Sequence, residues 1–179
     1  MGLEDRQQKT PELLADCMLG RLARWLRILG CDTWYFRAVA DSDLLELHRL
    51  SGRTLLTRDT RLIRDVRPDK GLLITGNRWE EQLREVAERL GITVSEERIL
   101  TRCPVCNHTL QGAWPEEVQS RVPEHVFRTH KMFRVCKLCG RVYWGGTHRR
   151  AIYRVIERVV GFCAESVEGR IPTVEAEDR

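Results

Sequence analysis

The sequence predicts a mixed α/β protein with a central parallel sheet, followed by a small zinc ribbon and a basic C-terminal helix. Short apolar segments alternate with helical patterns through the first hundred residues, an order typical of parallel strands joined by right-handed crossovers. Two Cys-x-x-Cys pairs follow, Cys103/Cys106 and Cys136/Cys139, with 29 residues between them. Four thiolates in this pattern are the ligands of a tetrahedral zinc site, so we expect structural zinc there.

The elements of the α/β region follow from apolar patterns and from the residues that end them. Strands are expected at residues 13–15, 33–36, 54–57 and 72–75, with a short fifth strand at 92–94. Helices are expected at residues 19–29, 42–50 and 78–90. Asp41 or Ser42 would cap the second helix and Asn77 the third, and a glycine follows the end of each helix.

The C-terminal region is predicted from its prolines, its knuckles and its charge. A helical insertion is expected between the knuckles, with Pro115 near its start and Pro123 inside it or at its end. Thr147 would cap a basic helix after the second knuckle, and the polar, acidic tail from Glu165 is expected to be disordered. The chain is thus expected to divide into a first domain at 11–98, a ribbon with its helix at 99–160, and a tail at 161–179.

Positive charge is distributed unevenly along the 179 residues. Residues 1–100 carry 17 basic and 17 acidic side chains, whereas residues 102–160 carry 11 basic and 4 acidic ones. Of the 30 basic residues 26 are Arg, whose guanidinium binds phosphate in bidentate fashion. The excess charge around the ribbon favours a nucleic-acid partner, although a general bias toward Arg would give the same composition.

Neither a membrane segment nor a secretion signal is expected. The longest apolar runs are a few residues and are interrupted by Arg, and the first ten residues are polar. Cys17, Cys31 and Cys163 stand outside the two knuckles, and unpaired thiols suit a reducing compartment. We therefore expect a cytoplasmic protein.

Carboxylates follow the first three predicted strands. Asp16 comes directly after the first strand, Asp41 and Asp43 open the helix after the second, and Asp59 follows the third. In a parallel sheet the carboxyl ends of the strands share one edge, where ligands bind. Converging carboxylates repel one another, so Mg²⁺ or Mn²⁺ is expected to neutralise them and to assist phosphodiester hydrolysis. Each acid taken alone could instead be a helix cap or a turn residue, Asp41 above all.

Several other chemistries lack their motif. No Gly-x-Gly-x-x-Gly or Walker loop follows a strand, and no Gly-x-Ser-x-Gly elbow occurs. The cysteines are assigned to zinc or are expected in hydrophobic surroundings, which argues against a thiol nucleophile. Metal-assisted hydrolysis is the reaction class that remains.

A first group of basic residues lies in the α/β region. Arg21, Arg24 and Arg27 recur every three residues opposite the apolar face of the first helix, and Arg58 adjoins Asp59. These side chains would contact phosphates of a nucleic-acid backbone without reading its sequence, or they form an ordinary solvated face.

A second group lies on the ribbon and on the helix after it. It comprises Tyr143, Trp144, His148, Arg149, Arg150 and Arg154. Aromatic side chains beside Arg suit stacking on unpaired RNA bases. The alternative is that Tyr143 and Trp144 pack the ribbon, since so small a unit has little other core. Four histidines are alternative zinc ligands, but four thiolates already complete a tetrahedral site: His108, His125, His130 and His148.

Three stretches of the sequence resemble a known family. They are LADCMLGRLARWLRILGCDT, ADSDLLELHRLSGRTLLTRD and CKLCGRVYWGGTHRR. They resemble, in this order and over about residues 11–150, the ribonuclease domain named after the C-terminal region of the Mutator-seven exonuclease. The resemblance implies a PIN-like three-layer nuclease domain followed by a zinc ribbon. It also implies that Asp16, Asp41 or Asp43, and Asp59 are metal-binding acids.

The sequence departs from the family's pattern at the fourth strand. PIN-type nucleases often have a further acid there, whereas this chain has Asn77, with Glu80 and Glu81 a turn later. An Asn carbonyl can ligate a metal ion but brings no charge. Two hypotheses follow: a metal-dependent ribonuclease whose ribbon helps to hold RNA, or an inactive PIN-like adaptor that binds RNA, tRNA or the ribosome. A phosphatase is a more distant alternative, because no Asp-x-Asp pair follows the first strand.

Overall fold

The computed structural model describes residues 10–161. Within this range the strands are β1 (Glu12–Ala15), β2 (Asp32–Tyr35), β3 (Thr54–Thr57), β4 (Gly71–Leu73), β5 (Leu110–Ala113), β6 (Phe133–Cys136) and β7 (Val142–Trp144). The α-helices are α1 (Gly20–Ile28), α2 (Asp41–Ser51), α3 (Trp79–Arg89), α4 (Pro115–Val118), α5 (Glu124–Thr129) and α6 (Thr147–Val160).

Strands β1 to β4 form a parallel sheet in the order β2-β1-β3-β4. In the central strand β1, Leu13 pairs with Thr33 of β2 on one side and with Thr54 of β3 on the other. Helices connect β1 to β2 and β2 to β3, whereas the connection from β3 to β4 holds only a 3₁₀ turn at Leu62–Asp65. The predicted α/β architecture with a central parallel sheet is confirmed. The fifth strand is wrong, because residues 92–94 form no strand.

Helices cover both faces of this sheet because alternate residues of a strand point to opposite sides. Leu13 belongs to the core beneath α1, α3 and α6, whereas its neighbour Leu14 packs with Leu44 of α2 on the other face. Helix α1 adds Leu22 and Leu26 to the first core, at the four-residue spacing that places side chains on one helix face. The sheet is therefore the middle of three layers.

The ribbon is an antiparallel sheet in the order β5-β6-β7, with a small core around Phe133. Helix α6 then returns to the α/β region, where Ile156 and Val159 enter the first core. Arg84 of α3 donates a hydrogen bond from Nε to the Val159 carbonyl at 3.0 Å. The basic helix therefore belongs to the packing of the α/β region as well as to the ribbon that precedes it.

Two helix caps in the α/β region differ from the sequence predictions. Helix α2 has Ala40 at its cap position, and α3 has Arg78 rather than Asn77. The Glu81 carboxylate accepts hydrogen bonds from the backbone N–H groups of Asn77 and Arg78, so an acid of the first turn serves the start of α3 in place of an Asn side chain.

The region between the knuckles also differs in detail. It forms two short α-helices with a 3₁₀ helix at Gln119–Arg121 between them, and Pro123 precedes the second α-helix as its cap residue instead of lying inside a helix or ending one. Proline suits a helix start because its missing N–H has no partner there in any case. Helix α6 begins at Thr147, so Gly146 occupies its cap position. Of the predicted tail, only Gly161 lies within the described residues.

None of the described helices is long and apolar enough to cross a membrane.

Candidate functional site

The four cysteines of the two knuckles come together. Their Sγ atoms all lie within 4.8 Å of one another, with 3.6 Å between Cys103 and Cys139 and 3.3 Å between Cys106 and Cys136. A tetrahedral site with Zn–S bonds of about 2.3 Å places its sulfurs about 3.8 Å apart, so the cluster has the size and the chemistry for zinc. The prediction of a four-cysteine cluster is confirmed. No histidine joins it among the residues that the structure describes.

Each knuckle is a tight turn held by backbone hydrogen bonds. In the first knuckle Asn107 N donates to Cys103 O at 2.9 Å, and Asn107 has a φ of 69°. In the second knuckle Gly140 N donates to Cys136 O at 2.8 Å, and Gly140 has a φ of 72°. Both turns end in the left-handed conformation, which glycine and asparagine tolerate better than other residues do.

Neighbouring groups set the protonation of the thiols. The Tyr143 hydroxyl lies 3.1 Å from Cys103 Sγ. Burial raises the pKa of Cys106 to about 12. Burial also acts to raise the pKa of Cys139, but hydrogen bonds from Arg141 and with the neighbouring thiols outweigh it and lower that pKa to about 6. A cluster that mixes thiol and thiolate must release protons when it binds zinc.

The first knuckle is hydrogen-bonded to the amino-terminal edge of the parallel sheet, where the strands begin. Asn107 Oδ1 accepts from Thr33 N at 3.1 Å, and Asn107 Nδ2 donates to Asp32 Oδ1 at 2.7 Å. The Asp32 carboxylate also forms ion pairs with Arg53 at 3.0 Å and with Arg102 at 3.2 Å. This polar network joins β2 to the ribbon.

Arg27 completes this junction, and the prediction that it lies on an RNA-binding stripe is wrong. The residue is only 5% exposed. Its guanidinium donates to the backbone carbonyls of Thr33 at 2.8 Å, Val105 at 2.7 Å and Pro104 at 3.4 Å. A guanidinium that is buried and bonded to three carbonyls is not available to a phosphate.

Asp16 lies at the opposite, carboxyl-terminal edge of the sheet, directly after β1. It is 5% exposed, and its Oδ2 accepts a hydrogen bond from Thr57 Oγ1 at 2.7 Å. The same Thr57 oxygen accepts from Asp59 N at 2.9 Å. Within residues 10–161, Asp16 forms no ion pair. These hydrogen bonds tie the ends of β1 and β3 together around a buried carboxylate.

The other three candidate acids are arranged more loosely. Asp59 Oδ1 accepts from Arg61 N at 2.6 Å and from Leu62 N at 3.2 Å, and these two bonds lower the pKa of Asp59. Asp59 therefore also serves the start of the 3₁₀ turn. Asp41 and Asp43 are exposed in the first turn of α2. In the described part of the chain, no three carboxylates lie close enough to form a metal cluster.

An exposed thiol, Cys17, lies beside two of these acids. A hydrogen bond with Asp16, burial, and the negative charges of Asp16 and Asp41 raise its pKa. The expectation of hydrophobic surroundings for the cysteines outside the knuckles is wrong for Cys17. Its raised pKa keeps it protonated at neutral pH, which still argues against a thiol nucleophile. Cys163 lies outside the described residues.

The residues after β4 supply an amide and two further carboxylates. Asn77 Oδ1 accepts from Arg58 Nη2 at 2.9 Å. Glu81 is used by the backbone at the start of α3. Glu80 Oε1 lies 3.4 Å from Arg78 Nη2, and Glu80 Oε2 is shielded from solvent without a hydrogen-bond donor among the described residues. Arg58 and Asn77 thus connect the loops that follow β3 and β4.

Arg21 and Arg24 are exposed on α1, as predicted, while their contact with RNA stays a prediction. The Arg21 guanidinium lies 4.9 Å from the ring centroid of Trp79, and Trp79 stacks on Trp25 with centroids 4.8 Å apart. Sequence reasoning missed this aromatic pair because its members stand on two helices that are distant in sequence. The four-residue spacing of Arg21 and Trp25 was the available signal that they share a helix face.

The two ribbon aromatics are partly buried. Tyr143 packs beside the zinc-site cysteines, and Trp144 packs against the ribbon core. The packing role considered for both residues is therefore observed, and base stacking by either of them stays a prediction.

The basic residues of α6 differ in exposure. Arg150 and Arg154 are exposed, whereas Arg149 is partly buried and lies 5.2 Å from the ring centroid of Tyr153. The His148 side chain lies outside what the structure describes. Contact of these residues with RNA stays a prediction.

Comparison with known families agrees with these features. The model of the Mut7-C RNAse domain matches residues 11–156, which is most of the chain and includes the sheet, the four cysteines and the candidate acids. No curated protein and no solved structure matches the chain. The chain therefore belongs to the Mut7-C RNAse domain family, which indicates a ribonuclease-type function with RNA as substrate.

Proposed function

We propose that this chain is a metal-dependent ribonuclease that hydrolyses RNA phosphodiester bonds at the carboxyl-terminal edge of its parallel sheet. Asp16 carries the proposal, because it is a buried carboxylate at the end of the central strand and its hydrogen bond to Thr57 has a neutral donor. Burying a carboxylate without a cation is costly, and a divalent metal ion is the cation that suits phosphate chemistry.

The carboxylates at this edge are compatible with Mg²⁺ or Mn²⁺ held partly through water. Mg²⁺ usually takes one or two carboxylates and keeps several waters, so a cluster of three carboxylates is not required. Asp16 would be the first ligand, with Asp59 and either Asp41 or Asp43 as candidates for the second contact. Such an ion, when bound, stabilises the charge that develops at the scissile phosphate.

Side chains around this edge would position the RNA. Thr57 holds the Asp16 carboxylate by the hydrogen bond described above. Arg21 and Arg24 expose positive charge on α1, which begins four residues after Asp16. Contacts of this kind place a phosphate backbone without selecting a sequence. Arg58 would add a contact beside Asp59.

The proposed division of labour follows the chain. A PIN-like domain at 11–98 would cleave, and the zinc ribbon with α6 at 99–160 would help to bind RNA, with tRNA or the ribosome as specific candidates. The free thiols, exposed Cys17 among them, suit the reducing cytoplasm as the compartment.

A second candidate function is an RNA-binding adaptor without activity. The observation that favours it is Asp59, whose Oδ1 already accepts two backbone hydrogen bonds at the start of the 3₁₀ turn. A carboxylate committed in this way gives less charge to a metal ion. Asp41 and Asp43, both exposed, would then be the other carboxylates available to bind a metal ion together with Asp16.

One experiment separates the two candidates. The zinc-loaded full chain is incubated with labelled single-stranded RNA in Mn²⁺ and, separately, in EDTA, and both cleavage and RNA affinity are measured. Asp16→Asn keeps the shape of the side chain but removes its charge, so cleavage should fall by roughly 100-fold or more while affinity is unchanged or tighter. Glu12→Gln is the matched control, because Glu12 is exposed at the other end of β1.

Each result has a distinct meaning. Cleavage that needs Mn²⁺ and Asp16, but not Glu12, supports the ribonuclease. Cleavage that persists in EDTA or in Asp16→Asn comes from another site or from a contaminant, and it ends this proposal. Tight RNA binding without cleavage by the wild type selects the adaptor.

A further inference from the structure

A small cleft lies between the ribbon and the segment that leads into it. Apolar and aromatic atoms line most of it, with three charged side chains at its walls. The charged residues are Glu96, Arg134 and Arg149, and the aromatic ones are Phe133, Tyr143 and Trp144. These residues come from separate parts of the chain, so the cleft exists once the ribbon has docked. It shares no residue with the carboxyl-terminal edge of the sheet.

Two arginines of this cleft repel each other. Arg134 Nη1 donates to the Leu100 carbonyl at 2.6 Å, which holds the guanidinium at the wall. Arg149 Nη2 donates to the Tyr153 hydroxyl at 3.0 Å. Neither arginine forms an ion pair within residues 10–161. An anion placed beside them would relieve the repulsion.

The start of α6 adds to this attraction for an anion. Gly145 lines the cleft, and the helix begins two residues later with Gly146 at its cap position. Its first turn has no acidic residue and its cap has no side-chain hydrogen bond. The amino-terminal end of a helix carries partial positive charge and free N–H groups, which favour a phosphate. Two cations and a helix start therefore meet at one end of an apolar cleft.

The apolar part of the cleft suits one planar ring. Phe133, which is 2% exposed, and Trp144, which is partly buried, both line the cleft. Unpaired bases of RNA are commonly held against aromatic side chains and arginine planes. Because the cleft is small, it excludes a duplex.

Glu96 gives the cleft a preference for a ligand that carries a hydrogen-bond donor. Its Oε1 is shielded from solvent and accepts no hydrogen bond from the residues that the structure describes. An acceptor left without a donor is costly, and a donor on a bound base would lower that cost. A carboxylate accepts a hydrogen bond from the N4 amino group of cytosine, whereas uracil has a carbonyl oxygen at the same position.

We propose that this cleft binds one unpaired nucleotide of RNA, with its base in the apolar part, its phosphate between Arg149 and the start of α6, and a preference for cytosine over uracil set by Glu96. The inference rests on the proposed function in that it takes RNA as the partner. With this cleft the ribbon would select among RNA bases as well as attract the RNA backbone through its positive charge.

The test measures RNA affinity rather than cleavage. Fluorescein-labelled octamers of cytidine and of uridine are titrated with the zinc-loaded full chain carrying Asp16→Asn, so that cleavage does not interfere. Cytidine should bind about fivefold tighter or more, because the two bases differ in donor and acceptor at the position facing Glu96. In Glu96→Gln that ratio should fall toward one. Glu97→Gln is the control, since Glu97 is an exposed neighbour that does not line the cleft.

A second pair of variants tests the phosphate contact. Arg149→Ala should weaken binding of both octamers by about the same factor, and by several-fold more than Arg150→Ala, because Arg150 is exposed and does not line the cleft. Zinc content and circular dichroism check that each variant is folded. If Arg149→Ala loses zinc, the Glu96 and Glu97 pair decides alone.

The outcomes separate this inference from the proposed function. The proposed nucleotide site is overturned if Glu96→Gln and Glu97→Gln show equal ratios of cytidine to uridine affinity. It is also overturned if Arg149→Ala and Arg150→Ala lose equal RNA affinity. If the expected ratios appear but the chain with Asp16 intact cleaves no RNA, the cleft stands and the ribonuclease proposal fails.

Discussion

Each edge of the parallel sheet holds an aspartate that is at least partly buried, and the two carboxylates have different partners. At the amino-terminal edge the Asp32 carboxylate has ion pairs with Arg53 and Arg102 and a hydrogen bond from Asn107. At the carboxyl-terminal edge the Asp16 carboxylate accepts from the neutral hydroxyl of Thr57. The Asp32 carboxylate already has cationic partners, whereas Asp16 is buried beside a neutral donor, which is why we propose that Asp16 takes up a cation from solution.

This difference assigns separate tasks to the edges. The amino-terminal edge is where the zinc ribbon is bonded to the sheet, through Asn107 and Arg27. The hydrogen bonds span 74 to 78 residues of sequence, across the domain boundary expected near residue 98. Zinc binding should therefore stabilise the sheet as well as the ribbon. The carboxyl-terminal edge takes no part in this junction, and it holds the acids that we propose as metal ligands.

Loss of a zinc ligand should have the largest effect on the stability that the ribbon and the sheet share. In Cys136→Ser the ribbon should lose its metal and the free energy of unfolding should fall by at least about 3 kcal/mol, since metal binding contributes directly to folding in such modules. Hydrogen exchange should speed up in the ribbon and also in β2, where Thr33 N donates to Asn107. Cys17→Ser, which changes an exposed cysteine outside the cluster, is the control. Unchanged protection in β2 would show that the two units fold independently.

A smaller effect is expected when the junction loses a side chain while the zinc ligands remain. Arg27→Met keeps the length of the side chain but leaves the carbonyls of Thr33 and Val105 without their donor. Urea unfolding should show a loss of about 2–4 kcal/mol.

The comparison for Arg27→Met is Arg24→Met on the exposed face of the same helix, which should cost less than about 0.5 kcal/mol. Equal losses in the two variants would mean that the bonds of Arg27 across the junction contribute nothing to stability.

Local patterns in the sequence were enough for much of this architecture. The strand at Thr54–Thr57 was predicted at its observed bounds. A short apolar run between a glycine and a charged turn is too short for a helix and favours a buried strand. The cysteine cluster was also predictable, since the spacing within each knuckle sets the positions of its two sulfurs.

Contacts between distant segments were not predictable in this way. Each step of three residues along an α-helix rotates the side chain by about 60° less than a full turn. Arg21, Arg24 and Arg27 therefore point in progressively different directions around α1. Arg27 consequently lies on the buried side of the helix. There the first knuckle supplies carbonyl acceptors that no local sequence pattern reveals. The partners of Asn107 lie 74 and 75 residues away and were missed for the same reason. At the other edge, the position of Asp16 at the end of the sheet was predictable because it directly follows a buried strand, and its role as a metal ligand stays a prediction.

The smallest effect should come from the single amide that links Asp32 to the knuckle. Burial acts to raise the pKa of Asp32, but hydrogen bonds from Arg53 and Asn107 and the charge of Arg102 outweigh it and lower that pKa below its ordinary value. A carboxylate with a lowered pKa contributes stability that is fully present above about pH 4 and is lost as the pH falls through its folded-state pKa. Asn107 therefore extends the stability of the junction toward acid.

Asn107→Gly tests this link because glycine accepts the φ of 69° at this position, so the change removes the amide without straining the turn. The free energy of unfolding at neutral pH should fall by about 1 kcal/mol, and the part of the stability that is lost on acidification below about pH 4 should become smaller. The pKa of Asp32, followed by NMR titration of its carboxyl carbon, should rise toward the ordinary value, while Arg53 and Arg102 keep it from rising fully. The chemical shift of the Asp59 N–H, which donates to Thr57 at the other edge of the sheet, should be the same in the variant and in the wild type at neutral pH. A changed shift of the Asp59 N–H would show that the two edges are not separate, and the comparison between them would fail.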